Sequence, residues 1–277
     1  MNDTTFASTF ALDTSHPNYH RWQRAIDHAR LRGETICYLL SRYVDLHNTT
    51  VLDAGCGVGG TSVALHAHGA DVIAVDCAED RLAALSAVQP DIETECCDLS
   101  DLPYPDASFD VIVLQDVIEH VPSPARVLDE LARVLTTRGL LYISTPNRNA
   151  IPNLVADPHF GLPFVARKNR EQLRSVLRKR RPADATRQDL AQLLGFSELC
   201  ELLRDHGFTA TFVNRYMAQV LFDRPEALVW TRSHLRAVRL LQRSGLQQLA
   251  LRLVSDNAGF FNSWLNPTWY LICRKDV

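Results

Sequence analysis

The 277-residue chain has no run of eighteen uninterrupted apolar residues, so no segment reads as a membrane-spanning helix. Met1 to Leu12 lack both a basic start and a sustained apolar stretch, and a secretory leader is not expected there. The seven cysteines are odd in number and none forms a C-x-x-C pair, so neither a zinc site nor a disulfide framework is indicated. Reduced thiols, with Cys96 and Cys97 adjacent, fit a cytoplasmic protein. Charge of one sign is also missing. A formal net charge of −3 gives no general affinity for polyanions, and no Asn-Pro-Pro-Tyr motif for a flipped base occurs, so nucleic acid is not the expected partner. With 46% hydrophobic and 22% charged residues, the chain can bury one large core, which agrees with a soluble globular protein.

What is present begins at Val51-Leu52-Asp53-Ala54-Gly55-Cys56-Gly57-Val58-Gly59-Gly60. An apolar run ends in a carboxylate and then in four glycines within six residues, the pattern of a strand entering a nucleotide-binding turn. Gly55, Gly57 and Gly60 also satisfy G-x-G-x-x-G, so this segment alone fits a dinucleotide or another adenosine-containing cofactor. Asp71 to Asp76 is a second short strand closing on a carboxylate placed to accept ribose hydroxyls, which again suits either ligand. Ile92 to Leu99 discriminates. Its ending, Cys97-Asp98-Leu99, supplies a carboxylate for an adenine amino group and a backbone N–H for a ring nitrogen, an acid that dinucleotide enzymes do not generally need.

Taken with Leu102 to Ile112, Asp116-Val117-Ile118-Glu119-His120-Val121 and Leu141 to Asn147, these motifs make the chain resemble a class I S-adenosylmethionine-dependent methyltransferase. The resemblance is strong over residues 48–147 and looser over 195–214 and 268–274. The Glu119-His120 pair and the Thr145-Pro146-Asn147 ending are similar to quinone-biosynthesis O-methyltransferases and to methyltransferases of glycans and secondary metabolites. It implies an α/β fold with a Rossmann-like seven-stranded sheet, N-terminal helices and helical cap insertions. It also implies S-adenosyl-L-methionine as cofactor. The Gly55, Gly57 and Gly59 backbone would lie under the amino acid and ribose, with Cys56 and Cys77 nearby and Asp53 anchoring either the loop or the ammonium group. Asp76 would take the ribose, Asp98 and Leu99 would frame the adenine, and Gln115 would sit beside the methyl-bearing part.

Strands are expected at 50–54, 71–76, 92–96, 109–114, 138–144, 208–214 and 268–274, the last made antiparallel by the resemblance. Helices are expected at 60–68, 79–87, 123–135 and 197–205, and one or two more between Tyr19 and Tyr43. Residues 1–47 form an N-terminal cover, 48–147 the cofactor-binding core and 195–277 the rest of the core. Two insertions stand outside that frame. The first, 148–194, opens with a proline-rich stretch read as irregular. Its 167–187 stretch then carries nine basic and two acidic residues, leaving −10 on the rest of the chain. That stretch reads either as a patch for an anionic acceptor or membrane surface, or as a solvated helix face. The second insertion, about 216–265, sets Arg232, Arg236, Arg239 and Arg243 on one helical face against a leucine-rich one. A cap over the substrate pocket, a subunit contact in a homodimer and peripheral membrane docking through 228–254 all fit it.

Methyl transfer to a hydroxyl requires a proton acceptor of near-neutral pKa. His120 is the foremost candidate, because the loop after the fourth strand opens at the active-site edge; a structural role for Glu119 and His120 is the competing reading. His159, in the first insertion, is the other candidate base. Asp116, Glu119 and His120 share one face of a turn, and the similar cluster of quinone O-methyltransferases is linked to divalent metal, but the aspartate is shorter and no metal is assigned. The expected reaction is O-methylation of a small-molecule or glycan-like acceptor. N- or C-methylation, a nicotinamide-dependent reductase and a non-catalytic cofactor-binding regulator are the rivals.

Overall fold

The apolar runs become seven strands in the computed structural model, which describes residues 12–229 and 232–275. The readings made for residues 1–11 lie outside these. The strands are β1 (Thr50–Ala54), β2 (Asp71–Asp76), β3 (Glu93–Cys96), β4 (Phe109–Gln115), β5 (Leu135–Pro146), β6 (Phe208–Phe212) and β7 (Thr268–Lys275). They form one sheet in the order β3-β2-β1-β4-β5-β7-β6. All neighbours are parallel except β7, which runs antiparallel to β5 and β6, as expected. The order reverses between β1 and β4, and in such sheets the ligand crevice opens beyond the carboxyl ends of the strands at that point.

Helices cover both faces, which is why the central strands are apolar throughout rather than alternating. On one face α2 (Ala29–Leu40), α3 (Gly60–Ala67) and α4 (Glu79–Val88) bury Ile36, Leu40, Val63 and Leu85 against the sheet. On the other, α5 (Pro124–Val134) and α8 (Phe196–Asp205) contribute Val127, Leu128, Leu131, Val134, Leu199 and Leu203. A short α1 (Tyr19–Asp27) precedes α2, so the N-terminal helical stretch is two helices.

The contact between α2 and α3 is made by backbone. A Cβ on Gly33 would lie 2.6 Å from the Gly60 carbonyl oxygen and 2.7 Å from the Thr61 Cα, and one on Gly60 would lie 2.4 Å from the Ala29 carbonyl carbon. Gly33→Ala should therefore destabilise the protein by about 1–3 kcal/mol through overpacking, although alanine is the better helix former by about 1 kcal/mol. Chemical denaturation of the variant checks the sign.

The first insertion corrects one expectation. Its proline-rich opening is not wholly irregular but begins with a short helix, α6 (Ile151–Val155), because Pro152 occupies the first turn, where a missing N–H costs nothing. Helix α7 (Arg170–Arg180) follows, opened by a capping box between Asn169 and Gln172. Phe160, Val165, Leu173, Leu177, Ala185 and Leu190 give the insertion a small core of its own.

The second insertion contains α9 (Asn214–Asp223), α10 (Pro225–Leu228), α11 (Arg232–Arg243) and α12 (Gln247–Leu253), then a π-helical turn over Phe261–Leu265. Phe222, Val229, Leu235 and Val238 pack together at its centre. Buried asparagines join this insertion to the sheet. Asn262 donates to the Ser255 and Asn257 carbonyls and accepts from the Asn214 and Asn266 side-chain amides. Asn147, just past β5, donates to the Asn262 and Asn266 carbonyls. Among the described residues no helix is long and apolar enough to cross a membrane.

Candidate functional site

The glycine turn has the backbone its sequence requires. Gly55, Gly57 and Gly59 have φ of 76°, 56° and 82°, the left-handed region that side chains avoid. Gly55 also meets Val117, whose Cγ2 would lie 2.6 Å from an added Cβ, so the loop after β4 rests directly on the turn. Over Gly57 an added Cβ would meet nothing within 4 Å, which leaves that side of the turn open to a ligand. Helix α3 starts immediately afterwards, at Gly60, with its N-terminus toward the turn.

Asp76 is buried at the end of β2 and braces the turn, accepting from the Gly57 N–H at 2.9 Å and the Ala78 N–H at 3.0 Å. Each carboxylate oxygen keeps further acceptor capacity, which suits a ribose diol. Asp53 accepts from the Ser62 hydroxyl at 2.5 Å and is otherwise enclosed; burial pushes its carboxyl up to about 6. That geometry ties β1 to α3, the loop-anchoring alternative of its two assigned roles. Asp98 is exposed beyond β3 and accepts from the Ser100 N–H and hydroxyl, while Leu99 is buried beside it. Gln115, at the end of β4, accepts from the Thr61 hydroxyl at 2.8 Å. Cys56 is half-buried within the turn, with its thiol pushed up by burial, and Cys77 is exposed just after Asp76. Glycine turn, Asp76, Asp98 and Gln115 thus line the edge of β1 to β4, a donor and acceptor set that fits S-adenosylmethionine.

The structure brings the two candidate bases together. His120 and His159, 39 positions apart in sequence, meet edge to face with ring centroids 4.8 Å apart. The His159 loop is an Asx turn in which Asp157 accepts from the His159 and Phe160 N–H groups. His120 Nδ1 lies 2.8 Å from the Asp189 carbonyl oxygen, which can only accept, so Nδ1 carries the proton and Nε2 presents a lone pair. Burial lowers the pKa of His120, and that of His159 further, so both imidazoles are neutral at pH 7. Glu119 is buried beneath them. Its Oε2 accepts from the Thr145 hydroxyl at 3.0 Å, and its Oε1 faces His159 Nε2 at 3.8 Å. Burial, with Asp116 nearby, raises its carboxyl well above the usual range. Ligand atoms of Glu119, His120 and His159 lie within 4.8 Å of one another. Asp116 stands apart from that group: its carboxylate accepts from the Ser144 hydroxyl at 2.8 Å.

Several contributors were not singled out from sequence. Arg170, on α7, reaches the loop after β4 and donates to the carbonyls of Glu119, Val121 and Pro122, and to Leu190 behind it. Arg81 stands 3.5 Å from Asp76 and 4.0 Å from Asp189, bridging the end of β2 to the insertion. The N-terminal segment closes over the same edge. His16 stacks on Trp22 and contacts Asp184, Arg187 lies over the Trp22 ring, and Asn18 donates to the His159 carbonyl. Trp22 thus packs between His16 and Arg187 of the insertion. Beyond Gln115 a cavity of about 20 Å³, room for one water, is lined by Arg32, Asp116, Tyr142, Met217 and Tyr270. Asp116 holds a left-handed φ of 54° there, a conformation costly for a residue with a side chain. The one available signal for Arg32 was its place on the apolar stripe of α2, one turn before Ile36.

Comparison with known proteins agrees with this geometry. Residues 52–143 match the model of a methyltransferase domain family. A probable S-adenosylmethionine-dependent methyltransferase of Mycobacterium tuberculosis is 46% identical over 98 residues, which cover 35% of this chain and 36% of that protein. A ubiquinone biosynthesis O-methyltransferase of Xylella fastidiosa is 38% identical over 125 residues, covering 42% and 50%. The alignments thus span half or less of the length of these relatives. Among solved structures, an S-adenosylmethionine-dependent methyltransferase from Mesorhizobium loti superposes with a TM-score of 0.56 at 18% identity, covering 87% of this chain and 98% of that one, and shares the fold. Glycine turn and acidic strand ends fall within the matched segment, so residues 52–143 are similar to the methyltransferase domain family and to S-adenosylmethionine-dependent methyltransferases, and the sheet order is that of the shared fold.

Proposed function

We propose that the protein transfers a methyl group to an oxygen of a small-molecule or glycan-like acceptor, with His120 receiving the hydroxyl proton. The observation that carries this reading is the neutral His120, its Nδ1 proton committed to the Asp189 carbonyl, on a loop that rests on the glycine turn. The turn, Asp76 and Asp98 would hold S-adenosylmethionine, which would supply the methyl carbon on a sulfonium able to depart as a neutral thioether. The acceptor oxygen gains the methyl carbon and loses its proton to Nε2. His159 packs edge to face on the imidazole, and Glu119, its carboxyl raised by burial, lies beside His159. Arg170 keeps the loop in register. Positioning accounts for much of the expected acceleration.

Calorimetric titration with S-adenosylhomocysteine, run beside NADH, comes first. Binding of the first alone supports the reading, and binding of NADH alone would replace it with the reductase. Phenolic and glycan acceptors are then screened for methyl transfer. His120→Ala should lower kcat about 100-fold or more while leaving S-adenosylhomocysteine affinity nearly unchanged. Because burial depresses the His120 pKa, wild-type activity should hold flat through neutrality and fall only as acid protonates Nε2. Unchanged turnover in the variant would favour a nitrogen or carbon acceptor that needs no such base. Binding without turnover on any acceptor would favour the regulatory alternative.

A further inference from the structure

Helix α12 is apolar on two sides. Ala250 and Leu251 pack inward with Leu241 against the centre of the second insertion. Leu246, Leu249 and Leu253, spaced i, i+3 and i+7, form a second stripe that is 48%, 56% and 61% exposed, and Leu240 on the preceding helix is 66% exposed. Four leucines facing outward on one helical hairpin, joined through Gly245, are not explained by packing among the described residues.

The charge around them has one sign. Residues 232–253 contain five arginines and neither aspartate nor glutamate, within a chain of net charge −3. Arg239 pairs with Glu226 of α10. Arg236, Arg243 and Arg252 are exposed and, among the described residues, in no ion pair. A second copy of this chain is a poor occupant, because a twofold contact would set the same acid-free arginine face against itself. An anionic lipid surface satisfies both features, since leucines enter the acyl boundary while arginine stems extend along it and place their guanidinium groups among phosphates.

The basic helix of the first insertion keeps Arg178, Lys179 and Arg180 exposed but offers no apolar stripe beside them, because its Leu173 and Leu177 are buried. Arg170, Arg174 and Arg181 spend their guanidinium groups on backbone carbonyls, and Arg187 is paired with Asp189.

We infer that the α11–α12 hairpin is a peripheral docking element for an anionic membrane surface. This stands apart from the acceptor assignment and requires no turnover.

The test is co-sedimentation of the full chain with vesicles of phosphatidylcholine alone and with about 30 mol% phosphatidylglycerol, at low and at high salt. Binding at least tenfold tighter to the anionic vesicles, weakened by salt, is expected. Leu249→Ser/Leu253→Ser and Arg243→Gln/Arg252→Gln should each reduce that binding at least tenfold with unchanged circular dichroism and S-adenosylhomocysteine affinity. Lack of anionic preference, or variants that sediment like the wild type, overturns the proposal. A wild-type dimer in size-exclusion chromatography that dissociates in the leucine variant would assign the face to a second copy and overturns it as well.

Discussion

Asp76→Ala is expected to raise the dissociation constant for S-adenosylhomocysteine at least tenfold, a loss of about 1.4 kcal/mol or more in binding. Two contributions add. The carboxylate that would accept the ribose hydroxyls disappears, and the Gly57 and Ala78 N–H groups lose the acceptor that holds the turn in shape. Asp76→Asn separates them. An amide oxygen can still accept from one of these N–H groups, but its NH2 cannot accept at all, so the asparagine variant should retain the turn and still bind weakly. Arg81, 3.5 Å from Asp76, would keep its contact with Asp189 in both variants. Titration calorimetry measures the effect, and a dissociation constant equal to wild type would refute the ribose assignment.

Asn262→Ala should cost about 3–4 kcal/mol of folding stability, far more than a typical polar substitution. Its side chain uses all four of its hydrogen-bonding positions inside the protein, two as donor and two as acceptor. Truncation removes these bonds and leaves the buried Asn214 and Asn266 amides short of an acceptor, which is the expensive half of the change. Because this network holds the turn at Phe261–Leu265 to the end of β5, the second insertion should also lose protection from hydrogen exchange. Urea denaturation with an unaltered m-value would measure the loss as one of stability alone.

The sheet and its cofactor edge were readable because β1, β2 and β4 each announce themselves twice, by an apolar run and by the polar residue at or near the strand's end. Asp53, Asp76 and Gln115 all stand at carboxyl ends of strands, and Asp98 stands two residues past β3. What could not be read is chemistry between distant segments. His120 and His159 were each nominated, yet nothing in their own neighbourhoods indicates that the rings touch. The nine basic residues at 167–187 look like a surface patch from composition, but Arg170, Arg174 and Arg181 turn inward to cap carbonyls of loops that the linear pattern does not connect. The asparagine network draws on Asn147, Asn214, Asn262 and Asn266, residues that would each read as a turn former by themselves. Pro152 misled in the opposite direction, since a proline in a first turn is compatible with the helix it was taken to exclude.

The contact between Gly33 and Gly60 has a mechanical meaning. Most helices rest on each other through side chains, whose rotamers can yield and absorb a small displacement. Here the main chain of one helix bears on the main chain of the other, with no such cushion between them. A push on α2 is transmitted without slack to the first residues of α3, and from there to the glycine turn that opens it. Helix α2 and the glycine turn are thereby tied through a contact with little room to give.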